Sequence, residues 1–189
     1  MSDTPSRTEA EAAVRVLLSY IGEDPAREGL IDTPKRFVKA YEDWFKGYKE
    51  DPETVLSTTF DEVEGYDDIV LLKDIRVESH CEHHVAPIIG TAHVAYLPKN
   101  RVVGLSKLAR LVDVYGKRLQ SQETLTNQIA HTIDRVLQPR GVAVIVDAEH
   151  HCISTRGTRK EDISCVTRCF LGEFKTDARL EDRLSRLIG

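Results

Sequence analysis

After a polar start, apolar residues recur at Val14, Leu17, Leu18 and Ile21, the spacing of one helix face, and the pattern stops near Gly22. A second helix is predicted from Thr33-Pro34, with threonine as N-cap and proline in the first turn. Its apolar stripe runs through Phe37, Val38, Tyr41, Trp44 and Phe45 to Gly47. Residues 48–67, with Pro52, Gly65 and several acidic side chains, read as a connection. From Ile69 the period changes. Ile69-Val70-Leu71-Leu72 with Ile75-Arg76-Val77-Glu78-Ser79 reads as a strand, and 88–97 as a second, ending at Pro98. Gly104-Leu105-Ser106 opens a helix carrying Leu108, Leu111, Val112 and Tyr115. Leu125, Ile129, Ile133, Val136 and Leu137 make another, closed by Pro139 and Gly141. A buried strand over 142–146, a further strand over 163–174 and a terminal helix over 176–188 complete an α+β chain without internal repeats.

The length of 189 residues suits one domain with a helical appendage, read as an N-terminal helical region over 1–66 and a main domain over 67–189. With 41% hydrophobic and 30% charged residues, and no run near the ~18 apolar residues of a membrane span, the expected chain is soluble and globular. Met1-Ser2-Asp3-Thr4-Pro5-Ser6-Arg7 has no basic region leading into an apolar stretch, so the expected compartment is the cytoplasm. A net charge of -5 argues against a nucleic-acid partner but leaves room for an anion held by locally gathered cations. Four cysteines are too few for a disulfide scaffold, so in a reducing compartment they bind metal, react or pack.

Five of the seven histidines crowd into two segments, Ser79-His80-Cys81-Glu82-His83-His84 and Asp147-Ala148-Glu149-His150-His151-Cys152. Thiolate and imidazole are preferred zinc ligands, and the Cys-x-x-His spacing lets Cys81 and His84 meet one ion across a single turn. At strand spacing His150 and Cys152 share one face and His151 the other, so parity selects His150 and Cys152 as partners. One cysteine from each segment plus one histidine gives three ligands and leaves a position open for water, the catalytic pattern. A structural site closed by Cys165 or Cys169 is the rival. In the catalytic reading zinc brings the pKa of water toward ~7, and His83 and His150, near the metal without being needed as ligands, are candidates for proton transfer.

Basic residues follow both segments: Arg101, Lys107 and Arg110, then Arg156, Arg159 and Lys160. Lys107 and Arg110 stand at i and i+3 near a helix N-terminus. On spacing alone a solvated face is the better reading; beside a metal site phosphate binding becomes so, because phosphate oxygens need several fixed cations. Gln122-Glu123 opens the long helix, where the carboxylate either complements the helix dipole or accepts from the guanine N1–H and 2-amino group. Spacing does not choose between these.

Cys81-Glu82-His83-His84, the run Gly104-Leu105-Ser106-Lys107-Leu108-Ala109-Arg110, Gln122-Glu123, and His150-His151-Cys152 followed by Arg156-Gly157 together closely resemble the zinc-dependent GTP cyclohydrolase I family. The similarity extends from about Thr33 to Phe174. It implies hydrolytic opening of the imidazole ring of GTP, release of formate, rearrangement of the ribose and closure to 7,8-dihydroneopterin triphosphate, the first step of tetrahydrofolate and pterin biosynthesis. By resemblance Cys81, His84 and Cys152 are the zinc ligands. His150 protonates N7 with His83 assisting, and Ser106 serves the ribose steps. Glu123 with Gln122 holds the guanine, and Lys107, Arg110 and Arg156 hold the triphosphate. Arg36 and Lys39 match positions that reach a neighbouring subunit's site. The resemblance also implies the tunnelling fold, in which antiparallel sheets of several subunits close a barrel, and a homodecamer of two pentamers. His80, Cys165 and Cys169 depart from the family pattern. His93 and His131 read as surface residues, and His151 as facing away from the metal. The competing reading is a non-catalytic zinc module for assembly, which predicts a closed metal shell and no turnover.

Overall fold

In the computed structural model, residues 4–60, 65–160 and 163–189 are described, and they divide into two compact units that meet between Lys46 and Gly47.

The first unit is a pair of helices. α1 (Arg7–Tyr20) begins with a capping box: the Ser6 hydroxyl accepts from the Glu9 N–H, and the Glu9 carboxylate accepts from the Ser6 N–H at 2.8 Å. Such a cap contributes about 1 kcal/mol. α2 (Thr33–Trp44) starts one residue earlier than its threonine implies. Asp32 takes the N-cap position and Thr33 is already helical, with Pro34 behind it. The predicted apolar stripe is real: the Phe37 and Tyr41 rings stack at 4.4 Å, and Tyr41 meets Phe45 edge-on at 5.0 Å.

The second unit opens with α3 (Pro52–Leu56), inside the predicted connection. Asp51 caps it by accepting from the Glu53 and Thr54 N–H groups, and Leu56 anchors it by complete burial. β1 (Thr59–Phe60) then pairs with β4 (Val102–Val103), while residues 61–64 of the predicted connection lie outside the described residues. The main sheet contains β2 (Val70–Cys81), β3 (Pro87–Leu97), β5 (Leu119–Gln120), β6 (Gly141–His150) and β7 (Cys165–Gly172) in the order β5-β2-β3-β6-β7. All pairings are antiparallel except the short β2–β5 contact. β2 is interrupted by a bulge between Leu72 and Ile75, where Asp74 takes a φ of 58°.

α4 (Leu105–Gly116) and α5 (Gln122–Leu137) cover one face of this sheet. Val77, Ala92, Val94, Val142, Val144 and Val146 point into the same core as Leu108, Leu111, Leu125, Ile129 and Ile133. The period-2 and helical patterns meet there, and burying them supplies the main driving force for folding. The last predicted strand ends early. At Gly172 the chain takes a φ of 58°, and a Cβ would stand 2.2 Å from the Arg140 carbonyl oxygen. The chain therefore turns into α7 (Glu173–Thr176) and α8 (Ala178–Ile188), which place Phe174 and Leu184 against Ala95, Leu97 and Ala143 on the opposite face. Among the described residues no helix is long and apolar enough to cross a membrane.

The register brings the end of β2, the end of β6 and β5 to one edge: Ser79 lies opposite Ile88, Ile88 opposite His150, and Cys81 beside Gln120. Close approach of β3 to β6 near this edge depends on Gly90, whose added Cβ would meet the Asp147 carbonyl oxygen at 2.1 Å and Ala148 Cα at 2.5 Å. These neighbours are backbone and cannot rotate away. Gly90→Ala is expected to lower stability by about 1–3 kcal/mol through overpacking, measured as a lower urea midpoint; an unchanged midpoint would mean the strands part freely.

Candidate active site

Cys81 is the last residue of β2, and the hairpin after it is tight. The Val85 N–H donates to the Cys81 carbonyl and the Cys81 N–H to that of Ala86, both at 2.8 Å, with Val85 held at a φ of 54°. This turn folds His84 back over Cys81, its Nδ1 3.9 Å from the sulfur. His83 Nδ1 lies 3.8 Å from the same sulfur on an exposed side chain. The Glu82 N–H donates to the Gln120 carbonyl at 3.0 Å, which fixes the start of α5 beside the hairpin.

The second segment arrives differently from the parity argument. β6 stops at His150, and His151–Ser154 form a single helical turn, α6. Cys152 is therefore not two strand positions beyond His150. The helical turn, rather than a shared strand face, brings its thiol to Cys81. One donor atom each from Cys81, His84 and Cys152 lies within 4.8 Å of the others, and among the described residues these three form the only such group of His, Cys, Asp or Glu. Ligands of a tetrahedral zinc, at about 2.0–2.3 Å from the ion, stand roughly 3.3–3.8 Å apart, so small adjustments complete the shell. Cys81 is buried, Cys152 half-buried and His84 exposed. Burial, then the neighbouring Cys81, pushes the Cys152 thiol above its ordinary pKa. A divalent cation between the two sulfurs reverses that balance and favours the thiolates, so the donor set fits zinc. Cys169 belongs to the apolar core, and Cys165 heads β7. Neither joins the donor group.

Beside the trio, His150 Nε2 lies 2.8 Å from Gln122 Oε1. Burial lowers the His150 pKa, opposed by the charge of Glu123. Glu123 is exposed in the first turn of α5, which Ser121 caps by accepting from the Thr124 N–H at 3.2 Å. Arg156 follows α6 on an exposed turn completed by Gly157 at a φ of 63°, and its charge acts on Cys152. A profile of the GTP cyclohydrolase I family matches residues 10–189. The chain belongs to the GTP cyclohydrolase I family. It is 59% identical over 184 residues to a GTP cyclohydrolase 1 of Maricaulis maris (strain MCS10), covering 97% of this chain and 90% of the relative. It is 60% identical to that of Brucella abortus (strain S19), covering 97% and 86%. Among solved structures, an apo archaeosine synthase QueF-Like matches 55% of this chain and 93% of its own at 21% identity, with a TM-score of 0.46.

The residues that open α4 are not gathered at the trio within one chain. Ser106, Lys107 and Arg110 occupy the first two turns of α4. That helix ends near Glu78, which receives Lys117 Nζ at 3.3 Å, and begins beside Val103, whose N–H donates to the Tyr96 hydroxyl. Tyr96 stands eight residues along β3 from Ile88, roughly 27 Å in an extended strand. The start of α4 thus lies toward the opposite end of the sheet from Cys81. Arg36 and Lys39 are exposed on α2 in the first unit, with Arg36 3.5 Å from Asp32. His93 is not the surface residue expected. Its side chain is only 11% exposed, and its Nδ1 accepts from the Asp74 N–H at the β2 bulge. His131 is exposed. Burial, then Lys117, lowers the pKa of His80.

The interactions of Gln122 were invisible in the sequence. Its partners Val146, Cys165 and Thr167 lie 24, 43 and 45 positions away. Only the register of β6 and β7 brings them together.

Proposed function

We propose that the chain opens the imidazole ring of GTP by hydrolysis, releases C8 as formate, rearranges the ribose and closes 7,8-dihydroneopterin triphosphate. The observation that carries this reading is the three-membered Cys81–His84–Cys152 group set beside His150 and the Glu123 turn of α5. Zinc held by the three supplies Lewis acidity and an activated water at neutral pH. Glu123, at the purine, accepts from N1–H and the 2-amino group, which orients C8 toward the metal group. His150 gives a proton to N7 as the ring opens, and the exposed His83 assists proton transfers at the mouth. Lys107, Arg110 and Arg156 hold the triphosphate, and Ser106 serves the ribose steps.

In this reading the site is shared between subunits of a homodecamer of two pentamers. Two observations support it: the start of α4 stands toward the far end of the sheet from Cys81, and β7 is an edge strand of that sheet. A neighbour that pairs with the edge closes it, as sheet edges require, and delivers its own α4 to the trio. By the family resemblance alone, Arg36 and Lys39 are assigned to a neighbouring subunit's site.

Zinc-loaded protein incubated with GTP should release formate in equal amount to a pterin that fluoresces after oxidation. Pterin without formate would overturn ring opening at C8, and bound zinc with no turnover would point to an assembly module. Glu123→Gln places a donor against the donors of guanine. A charge-assisted pair is worth about 1.5–3 kcal/mol, so KM for GTP should rise roughly 10- to 100-fold with zinc content unchanged; an unaltered KM counts against the contact.

A further inference from the structure

The side chain of Gln122 is 1% exposed and fully engaged by the protein. One end of its amide lies 3.0 Å from the Val146 carbonyl oxygen, 2.7 Å from that of Cys165 and 3.2 Å from Thr167 Oγ1. Backbone carbonyls only accept, so that end is the NH2 group. The other end is then Oε1, also an acceptor only, and it stands 2.8 Å from His150 Nε2. Nε2 must therefore carry the hydrogen, an assignment dictated by partners at every step. The network is closed: the Thr126 hydroxyl donates to the Gln122 backbone carbonyl at 2.7 Å, and Thr167 Oγ1 meets Thr126 Oγ1 at 2.6 Å.

We infer that Gln122 is a positioning residue for His150: it holds the ring by Nε2–H and presents Nδ1 as the nitrogen that faces the purine. The inference rests on the ring-opening reading above for the purine and on the hydrogen bonds alone for the orientation. For the Gln122 amide to turn to guanine instead, its NH2 group would give up its bonds to two carbonyls of paired strands, at about 0.5–1.5 kcal/mol each. The fold explains why the residue sits here. Val146 pairs with Thr167 and Ala148 with Cys165, so the amide ties the site end of β6 and β7 to the first turn of α5. Because Nε2–H stays bonded to Gln122, Nδ1 is the ring nitrogen left to exchange a proton with the substrate.

Solid-state NMR of zinc-loaded enzyme carrying 15N-histidine, without GTP, tests this directly, with the His150 signals identified by their loss in His150→Asn. Above the titration of the ring, a protonated Nε2 and a bare Nδ1 are expected; the Nδ1–H form would overturn the inference. Gln122→Met keeps the length and removes both polar ends. It should retain zinc and lose kcat on the order of 10²-fold, with KM for GTP changed less than about threefold and the His150 tautomer mixed. A raised KM with kcat preserved would make Gln122 a purine contact and reject the positioning role. Should the variant not fold, the wild-type spectrum still decides. Wild-type enzyme that releases no formate would bring down the ring-opening reading, and with it the facing of Nδ1 to a purine, but not a measured Nε2–H.

Discussion

Cys152→Ser is expected to lose zinc and turnover together. The donor group has three members, and a serine hydroxyl stays protonated where a thiolate would bind, so the substitution leaves one sulfur and one imidazole. Two ligands do not hold a zinc ion against dilution. Because metal catalysis supplies several kcal/mol of transition-state stabilisation, kcat should fall by about 10³-fold or more. The fold should survive. Cys152 is half-buried on the short α6 and packs only against the margin of the apolar core, and serine is nearly isosteric with cysteine, so the circular dichroism spectrum and unfolding midpoint should stay near those of the parent. Metal analysis and the formate assay on one preparation check the prediction. One zinc per chain in the serine variant would remove Cys152 from the ligand set, and a collapsed fold would mark the metal as structural.

The second large effect separates proton transfer from metal binding. His150 stands outside the donor group, and its Nε2 is taken by Gln122, so His150→Ala should keep its zinc. Loss of a positioned acid costs roughly 10²- to 10⁴-fold, and kcat should fall within that range. The two variants form a pair: one is empty and inactive, the other loaded and inactive. Near-normal kcat in His150→Ala would take the acid role away from it.

Much of this was legible because patterns were unambiguous. α4, α5, β3 and β6 show clean apolar patterns, since each buries one face in the core between sheet and helices, and β3 and β6 bury the other against α7 and α8. α3 and β1 were hidden in the connection because they are five and two residues long, too short for any period to register, although Asp51-Pro52 is a fair start signal. The turn at Gly172 cut the last predicted strand, as one residue in the left-handed region redirects a chain without altering its apolar pattern. The members of the donor group could be named from residue type, yet the parity argument placed Cys152 on a strand that had already ended at His150. The bulge that engages His93 leaves no mark in composition, so a nearly buried histidine read as a surface one. Residue types reveal which groups can do chemistry; only register tells which of them meet. That is why the amide of Gln122 and the separation of α4 from the trio had to come from the fold.

The most direct test withdraws and restores the metal. A chelator should strip the three-ligand site, and zinc should then be returned in steps, with bound metal and released formate measured on the same sample. Formate release that climbs in proportion to zinc, up to one ion per chain, is the predicted result. Full release from metal-free protein, or saturation with zinc and no release, would contradict the account.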